Sequence, residues 1–244
     1  MSSFKKYTIT DFENYIKNAK VLRKISRIQL HHTYSPSYRQ FTGDNHTALQ
    51  GAMRNHHIKT NGWSDIGQHF TIFPDGIILS GRSLEMVPAG IKGANTGAIA
   101  LECLGNFDSG ADAMTKEQKN SIIAVVKALV GRFSLSSKDD ITYHAWWTSG
   151  GKALGDYIPE KSAKTCPGTN FFGGNTRTAF EGNLLPLISG NEPLKSVSET
   201  NDIVWELLNL GIVTDGKLWI SKCEEDKNIY HLCRKMANYL RGTL

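Results

Sequence analysis

The feature of this chain that most constrains its fold is one amphipathic helix between two short apolar segments. Residues 98–104 and 141–144 are short and mostly apolar, which is typical of buried strands. Between them, Met114-Thr115 opens a helix in which Thr115 and Gln118 have the spacing of a capping box. Its apolar side chains recur every three or four residues, namely Ile122, Val125, Val126, Leu129, Val130 and Phe133. The order strand, helix, strand predicts an α/β fold.

Segments that precede this helix predict further strands and helices. A helix over residues 10–20 is predicted to begin at Thr10, which has Glu13 three residues further on. Because strands and helices interleave without strict alternation, we expect an α/β domain around a mixed sheet. The remaining predicted elements are a strand over residues 27–34, a helix over residues 47–59 and two extended runs over residues 68–82, around the turn Pro74-Asp75-Gly76.

The composition excludes several classes of protein. No segment approaches about 18 uncharged apolar residues, so we expect no membrane span. Residues 1–20 are charged and lack the apolar core of a signal peptide, which predicts synthesis in the cytoplasm. The formal net charge of +5 suits either attraction to an anionic polymer or simple solubility. Lys and Arg are scattered and form no nucleic-acid-binding motif, so nucleic acid is not a predicted partner.

Cysteine and histidine residues form the most informative candidate site. Cys166 lies in a polar loop beside Lys164, where a thiolate is favoured. Zinc binds cysteine and histidine, and a catalytic zinc site takes three protein ligands and leaves the fourth position to water. His31 and His144 are candidate imidazole ligands, but they are far from Cys166 in the sequence, so only the fold can bring them together. The other cysteines are expected to be reduced structural thiols, namely Cys103, Cys223 and Cys233.

Strand parity favours His31 over its neighbour as the ligand. Side chains alternate between the two faces of a strand, so His32 shares a face with Ile28 and Leu30. That face is the one expected to pack on the core. His31 shares the other face with polar residues and is therefore the better candidate.

Glu102 is a carboxylate within an apolar strand, where an ionised group is costly unless it is paired or functional. It shares a face with Ala98 and Ala100, whose small side chains leave room for a substrate. Two explanations stay open from these residues alone. The carboxylate is either salt-bridged to a Lys or Arg, or it takes part in catalysis.

Six segments together resemble the zinc-dependent N-acetylmuramoyl-L-alanine amidases, which are related to phage lysozyme-amidases and peptidoglycan recognition proteins. The resemblance covers residues 20–175 and is greatest to amidases from phages and prophages of clostridia and related Gram-positive bacteria. The segments occur in the order of that family: His31-His32-Thr33, Gly62-Trp63-Ser64-Asp65-Ile66-Gly67-Gln68-His69-Phe70, Pro74-Asp75-Gly76, Ile99-Ala100-Leu101-Glu102, His144 and Lys164-Thr165-Cys166-Pro167-Gly168.

The resemblance implies a fold, a cofactor and an activity. The expected fold is a twisted mixed sheet flanked by helices, and the expected activity is hydrolysis of the bond between N-acetylmuramic acid and L-alanine in bacterial peptidoglycan. Zinc is the implied cofactor, with His31, His144 and Cys166 as its ligands. Glu102 then matches the family's general base, and Lys164 matches a lysine that stabilises the developing oxyanion.

Three residues are candidates for substrate contacts. Gln68 stands where many relatives have a tyrosine, and its amide can donate a similar hydrogen bond but cannot titrate. Trp146 and Trp147 can present ring faces to sugar or peptide. The other histidines are expected to be structural: His69 in the core, and His46, His56 and His57 on a solvated helix face.

The chain is expected to have two parts. Residues 1–189 form the predicted zinc amidase domain, residues 190–200 a linker that contains Pro193, and residues 201–244 a small helical module for wall targeting or oligomerisation, for example as a homodimer. A phage or prophage endolysin that acts on the cell wall after release is the expected role. The alternatives are a non-catalytic peptidoglycan-binding protein and an amidase that acts on soluble muropeptides.

Overall fold

The computed structural model divides the chain into two units, residues Met1–Gly190 and Asn191–Leu244. It describes residues 4–189 and, in the second unit, residues 204, 207, 212, 216–225, 229, 232, 233 and 236. The predicted linker over residues 190–200 lies outside the described residues. The division of the chain into a catalytic domain and a targeting or dimerising module stays a prediction.

The first unit is built on one six-stranded sheet. Its strands in spatial order are β1, β4, β3, β5, β2 and β6. The pairs β1–β4 and β3–β4 are antiparallel, whereas β3–β5, β5–β2 and β2–β6 are parallel. The sheet is therefore mixed, which confirms the predicted fold class. The strands span Lys6–Tyr7 (β1), Arg27–His32 (β2), Phe70–Ile72 (β3), Ile78–Ser80 (β4), Ala98–Cys103 (β5) and Ile141–Tyr143 (β6).

Three regular helices accompany the sheet in the first unit: α1 over Ile9–Asn18, α2 over His46–Lys59 and α3 over Lys116–Phe133. Short turns of 3₁₀ helix span Tyr38–Gln40, His144–Trp146 and Phe171–Gly173. An irregular helical segment follows, made of Arg177–Ala179, a π-helical turn over Phe180–Leu184 and Leu185–Ile188. No helix in the described part of the chain is long and apolar enough to cross a membrane.

The N-cap of helix α1 lies two residues before the predicted cap. Thr8, and not Thr10, is the N-cap: its hydroxyl accepts a hydrogen bond from the Asp11 backbone N–H at 3.2 Å, and the Asp11 carboxylate accepts one from the Thr8 N–H at 3.1 Å. The sequence contains two overlapping capping-box patterns. The first one is used because Tyr7 is still paired with Ile78 in the sheet, so the chain turns into the helix at Thr8.

Helix α3 begins at the predicted cap, but only half of the predicted capping box forms. The Thr115 hydroxyl accepts a hydrogen bond from the Gln118 N–H at 3.2 Å. The Gln118 side chain is fully buried and donates instead to the carbonyl oxygens of Ile72 and Leu104, at 2.8 and 2.9 Å. These two bonds satisfy buried backbone oxygens at the end of β3 and just beyond β5, which the solvent does not reach.

The register of the parallel strands determines where the polar side chains meet. His31 is paired with Glu102 across β2 and β5, and β6 runs parallel to β2 on its other side. His144 directly follows β6. Because parallel strands end at the same edge of a sheet, all three residues lie at one carboxyl edge. Strand β2, which lies between β5 and β6, is buried from Ile28 to His32.

Among the described residues of the second unit, helix α4 spans Gly216–Glu225. A small apolar cluster consists of Val204, Leu207, Cys223 and Cys233, with Trp219, Ile229 and Met236 packed against it. The Cys223 and Cys233 sulfurs lie 3.6 Å apart as thiols.

Candidate metal centre

His31, His144 and Cys166 converge at the carboxyl edge of the sheet. One nitrogen of each ring and the Cys166 sulfur lie within 4.8 Å of one another. The His31 Nδ1 is 3.4 Å from the Cys166 Sγ. Ligand atoms at about 2.0–2.3 Å from a tetrahedral zinc ion are roughly 3.3–3.7 Å apart, so the distance between the His31 nitrogen and the Cys166 sulfur fits zinc. The donor set of two imidazoles and one sulfur is also one that catalytic zinc sites use.

The neutral state of the two candidate histidine ligands suits a metal ion. The His31 Nε2 lies 3.3 Å from the Gln29 Oε1, which can only accept, so Nε2 donates and Nδ1 keeps its lone pair for a metal. Burial lowers the pKa of His31 well below its ordinary 6.5 and that of His144 to about 4, which keeps both rings neutral. Burial raises the pKa of the Cys166 thiol. A coordinated divalent cation offsets that effect, because it holds the sulfur as a thiolate.

Glu102 lies opposite His31 and lines the same cavity. Burial raises the pKa of its carboxyl group to about 8, and this rise is opposed by the positive charge of Lys164. A carboxyl group that titrates near neutrality can both take up and return a proton at physiological pH. Of the two explanations left open by the sequence, the location in the cavity favours a part in catalysis.

The cavity around these residues has a volume of about 510 Å³. Lys164 and Thr165 line it on the side of the Cys166 loop, and Ala89 and Gly90 line it from the loop that precedes β5. Gln68 also lines it, but the side chain is buried and its amide donates to the Thr71 hydroxyl at 3.0 Å. The site thus combines three possible metal ligands, a carboxyl group, an ammonium group and space for a substrate.

The structure does not bring Trp146 and Trp147 to this cavity. Trp146 is buried, stacks on Tyr143 at 4.5 Å and donates its indole N–H to a backbone oxygen. Trp147 donates to the Thr142 hydroxyl, and the Arg27 guanidinium lies over its ring at 5.8 Å. Both line a second cavity of about 290 Å³. Neither tryptophan lines the cavity that contains His144, so the expectation that they contact substrate has no support from the geometry of this site.

Two of the histidines expected on a solvated face are buried or partly buried. His46 is buried and bonded on both ring nitrogens, to the Asp75 carboxylate at 2.8 Å and the Lys6 ammonium at 3.2 Å. His57 lines the cavity, and burial lowers its pKa to about 4. Its Nδ1 accepts from the Gly67 N–H at 3.1 Å, so its Nε2 carries the proton. The spacing of apolar residues in α2 did not predict that His46 and His57 are buried or partly buried.

His69 has the core role predicted for it. It is fully buried, its Nδ1 accepts from the Ala100 N–H at 3.0 Å, and its Nε2 lies 3.0 Å from the Met86 carbonyl oxygen. Gln29, by contrast, is a polar contact of the site that the sequence did not reveal. It is fully buried beside His31.

The comparisons with known proteins agree with this geometry. The chain is 31% identical to the human N-acetylmuramoyl-L-alanine amidase over 80 residues, which are 33% of this chain and 14% of that protein. It is 30% identical to the endolysin of Enterobacteria phage K11 over 78 residues, which are 31% of this chain and 52% of that protein. It thus spans between a seventh and about half of these relatives.

The solved structure of bumblebee PGRP-SA has the same fold, with a TM-score of 0.50 and 20% identity over 66% of this chain and 83% of that one. The model of one family, described as N-acetylmuramoyl-L-alanine amidase, matches residues 21–169. This match includes β2 to β6 and all three candidate ligands. The chain therefore belongs to the N-acetylmuramoyl-L-alanine amidase family.

Proposed function

We propose that this chain is a zinc-dependent amidase that hydrolyses the bond between N-acetylmuramic acid and L-alanine in bacterial peptidoglycan. The observation that carries the proposal is the convergence of His31, His144 and Cys166 beside Glu102 in one cavity. Membership of the amidase family supports the reaction, and the donor set supports zinc.

Each residue of the site has a separate task in this reaction. His31, His144 and Cys166 would hold zinc, which when bound supplies a Lewis acid that polarises the scissile carbonyl. Glu102 takes a proton from the attacking water and returns it to the nitrogen of the departing L-alanine. The Lys164 ammonium stabilises the negative charge that develops on the carbonyl oxygen. The water adds to the carbonyl carbon, the C–N bond breaks, and the products are a lactyl carboxylate and a free amine.

The biological role that fits this activity is that of a phage or prophage endolysin acting on the cell wall. An endolysin is among the relatives that the chain resembles. The net charge of +5 favours association with anionic wall polymers through long-range attraction. Residues 201–244 would then target the wall or join two copies of the chain. Sedimentation of the full chain over a range of concentrations, with and without sacculi, tests these two roles.

The test of the activity uses the full chain, purified Gram-positive sacculi and a measurement of new L-alanine amino termini. We expect these termini to appear with zinc, to be absent with a chelator, and to return when zinc is restored. Cys166→Ser should lose both the metal, measured by elemental analysis, and the activity. Cys103→Ala is the matched control, because it removes a buried thiol that lies outside the set of ligands.

Two outcomes would contradict the proposal in different ways. A chain that binds sacculi but releases no amino termini would be a recognition protein without catalysis. A chain that cleaves only soluble muropeptides would be an amidase with a different substrate. Product mass spectrometry on intact sacculi and on soluble anhydro-muropeptides separates the two.

A further inference from the structure

We propose that Gln29 is a positioning residue of the metal site, which connects His31 to the loop of residues 90–95. This inference rests on the proposed zinc site and extends it. The loop forms part of the cavity wall through Gly90. Gln29 would therefore link the orientation of a metal ligand to the shape of the substrate cavity.

The orientation of the Gln29 amide is determined by its partners. Its nitrogen donates to the Ala94 carbonyl oxygen at 2.9 Å, which leaves the amide oxygen to face His31. That oxygen accepts from the His31 Nε2 at 3.3 Å. Gln29 is fully buried and His31 is 4% exposed, so water does not compete for these bonds. The amide therefore fixes both the tautomer and the rotation of the ring, which directs Nδ1 towards Cys166.

Asn95 extends this connection into the loop. The Gln29 amide nitrogen lies 3.3 Å from the Asn95 Oδ1, and that oxygen also accepts from the backbone N–H groups of Gly90 and Ile91 at 3.0 and 2.9 Å. The Asn95 side-chain oxygen thus binds both the backbone of the loop and the Gln29 amide. A continuous chain of hydrogen bonds therefore connects the His31 ring, through Gln29 and Asn95, to Gly90 in the cavity wall.

Gly90 shows how closely the loop approaches this pair. A Cβ atom at this position would lie 2.4 Å from the Gln29 Oε1 and 3.0 Å from the His31 Nε2. Any side chain here would push apart the bond between Gln29 and His31. The hydrogen bond between Gln29 and His31 therefore requires a glycine at residue 90.

The first experiment measures zinc affinity by competition with a chromophoric chelator. Gln29→Met keeps the approximate length of the side chain but removes the acceptor, and we expect zinc to bind about 10- to 100-fold more weakly. Gln118→Met is the matched control. Gln118 is likewise a fully buried glutamine, and its amide donates to two backbone carbonyl oxygens. It does not line the cavity, so zinc affinity in Gln118→Met should stay at the parent value. Thermal unfolding of both variants corrects for any general loss of stability.

The second experiment separates the acceptor from the rest of the side chain. Gln29→Glu retains an oxygen towards His31, so its zinc affinity should lie closer to the parent than that of Gln29→Met. The visible absorption bands of the cobalt(II)-substituted proteins report ligand geometry. These bands should change in Gln29→Met and stay unchanged in Gln118→Met.

The link to the loop is tested through Asn95→Ala, for which we expect a higher KM for soluble muropeptide together with weaker zinc binding. Parent-like zinc affinity and cobalt spectra in Gln29→Met would overturn the positioning role. Equal losses of zinc affinity in Gln29→Met and Gln29→Glu would show that the acceptor oxygen is not the cause. If the parent itself binds no zinc, the proposed function fails as well, so the two failures are distinguishable.

Discussion

The buried His69 should make the stability of the first unit depend on pH in a way that one substitution removes. His69 is fully buried, and burial lowers its pKa from 6.5 to about 3, while the positive charges of Arg23 and Arg82 add to the effect. Protonation would also break the bond that its Nδ1 accepts from the Ala100 N–H. We therefore compare the parent with His69→Gln, which keeps an acceptor and a donor in the side chain.

The sign and size of the effect follow from proton linkage. Because the native pKa lies below the unfolded value, the unfolded chain binds a proton that the native chain does not, so stability falls as the pH drops below about 6.5. Lowering the pH from 8 to 5 should reduce the free energy of unfolding through His69 by about 2 kcal/mol. Near pH 3 the loss would be about 4 kcal/mol, because the native histidine itself begins to bind a proton there.

The assay is urea unfolding at pH 8, 7, 6 and 5 in the presence of a chelator, so that metal release contributes nothing. We expect His69→Gln to be less stable than the parent at pH 8 by about 1–3 kcal/mol, because a well-fitted buried group is replaced. The difference should shrink by about 2 kcal/mol by pH 5. His56→Gln changes an exposed histidine and controls for the loss of one imidazole. Parallel curves for the parent and His69→Gln would refute the reasoning.

Three further predictions concern the proposed catalytic groups and one helix cap. Glu102→Gln should keep zinc but lower kcat for the release of amino termini by about 10²- to 10⁴-fold, because the variant cannot accept a proton; near-parent kcat would remove Glu102 from the mechanism. Lys164→Ala should lower kcat by about 10²- to 10³-fold, with the zinc content unchanged by elemental analysis; loss of metal would instead indicate a structural role. Thr115→Ala should reduce the free energy of urea unfolding by about 1 kcal/mol, since the hydroxyl caps α3, and an unchanged midpoint would contradict this.

The sequence predicted those parts of the fold that depend on local patterns. The cap at Thr115 and the apolar spacing of α3 are local, and both appear in the structure. Local patterns fail where two of them overlap, as at Thr8 and Thr10, because pairing of Tyr7 in the sheet decides between them. The antiparallel pairing of β1 with β4 is a long-range contact of a two-residue strand, which carries too short a pattern to be recognised.

Only those residues of the candidate site that lie in family motifs could be predicted from the sequence. Parity placed His31 on the face of β2 that carries polar residues, and the structure shows that Gln29 is one of them and contacts the ring. Parity did not reveal that this face is as buried as the other, because the segments that cover it, such as those of Ala94 and Cys166, are distant in the sequence. The positions of His57 and Trp146 depend on how α2 and the turn after β6 pack, which side-chain spacing does not determine.

The geometry of the site depends on the same strand register that stabilises the fold. Parallel pairing places His31 opposite Glu102, while Ile28 and Leu30 are paired with Ile99 and Leu101. A slip of one residue between β2 and β5 would pair Glu102 with Leu30 or His32 in place of His31, and the buried apolar pairs would be broken. These apolar pairs are fully buried, so such a slip has a large energetic cost. The core of the sheet therefore keeps the Glu102 carboxyl group beside the candidate metal ligands, and the pairing of Glu102 with His31 follows from strand register and not from a local sequence motif.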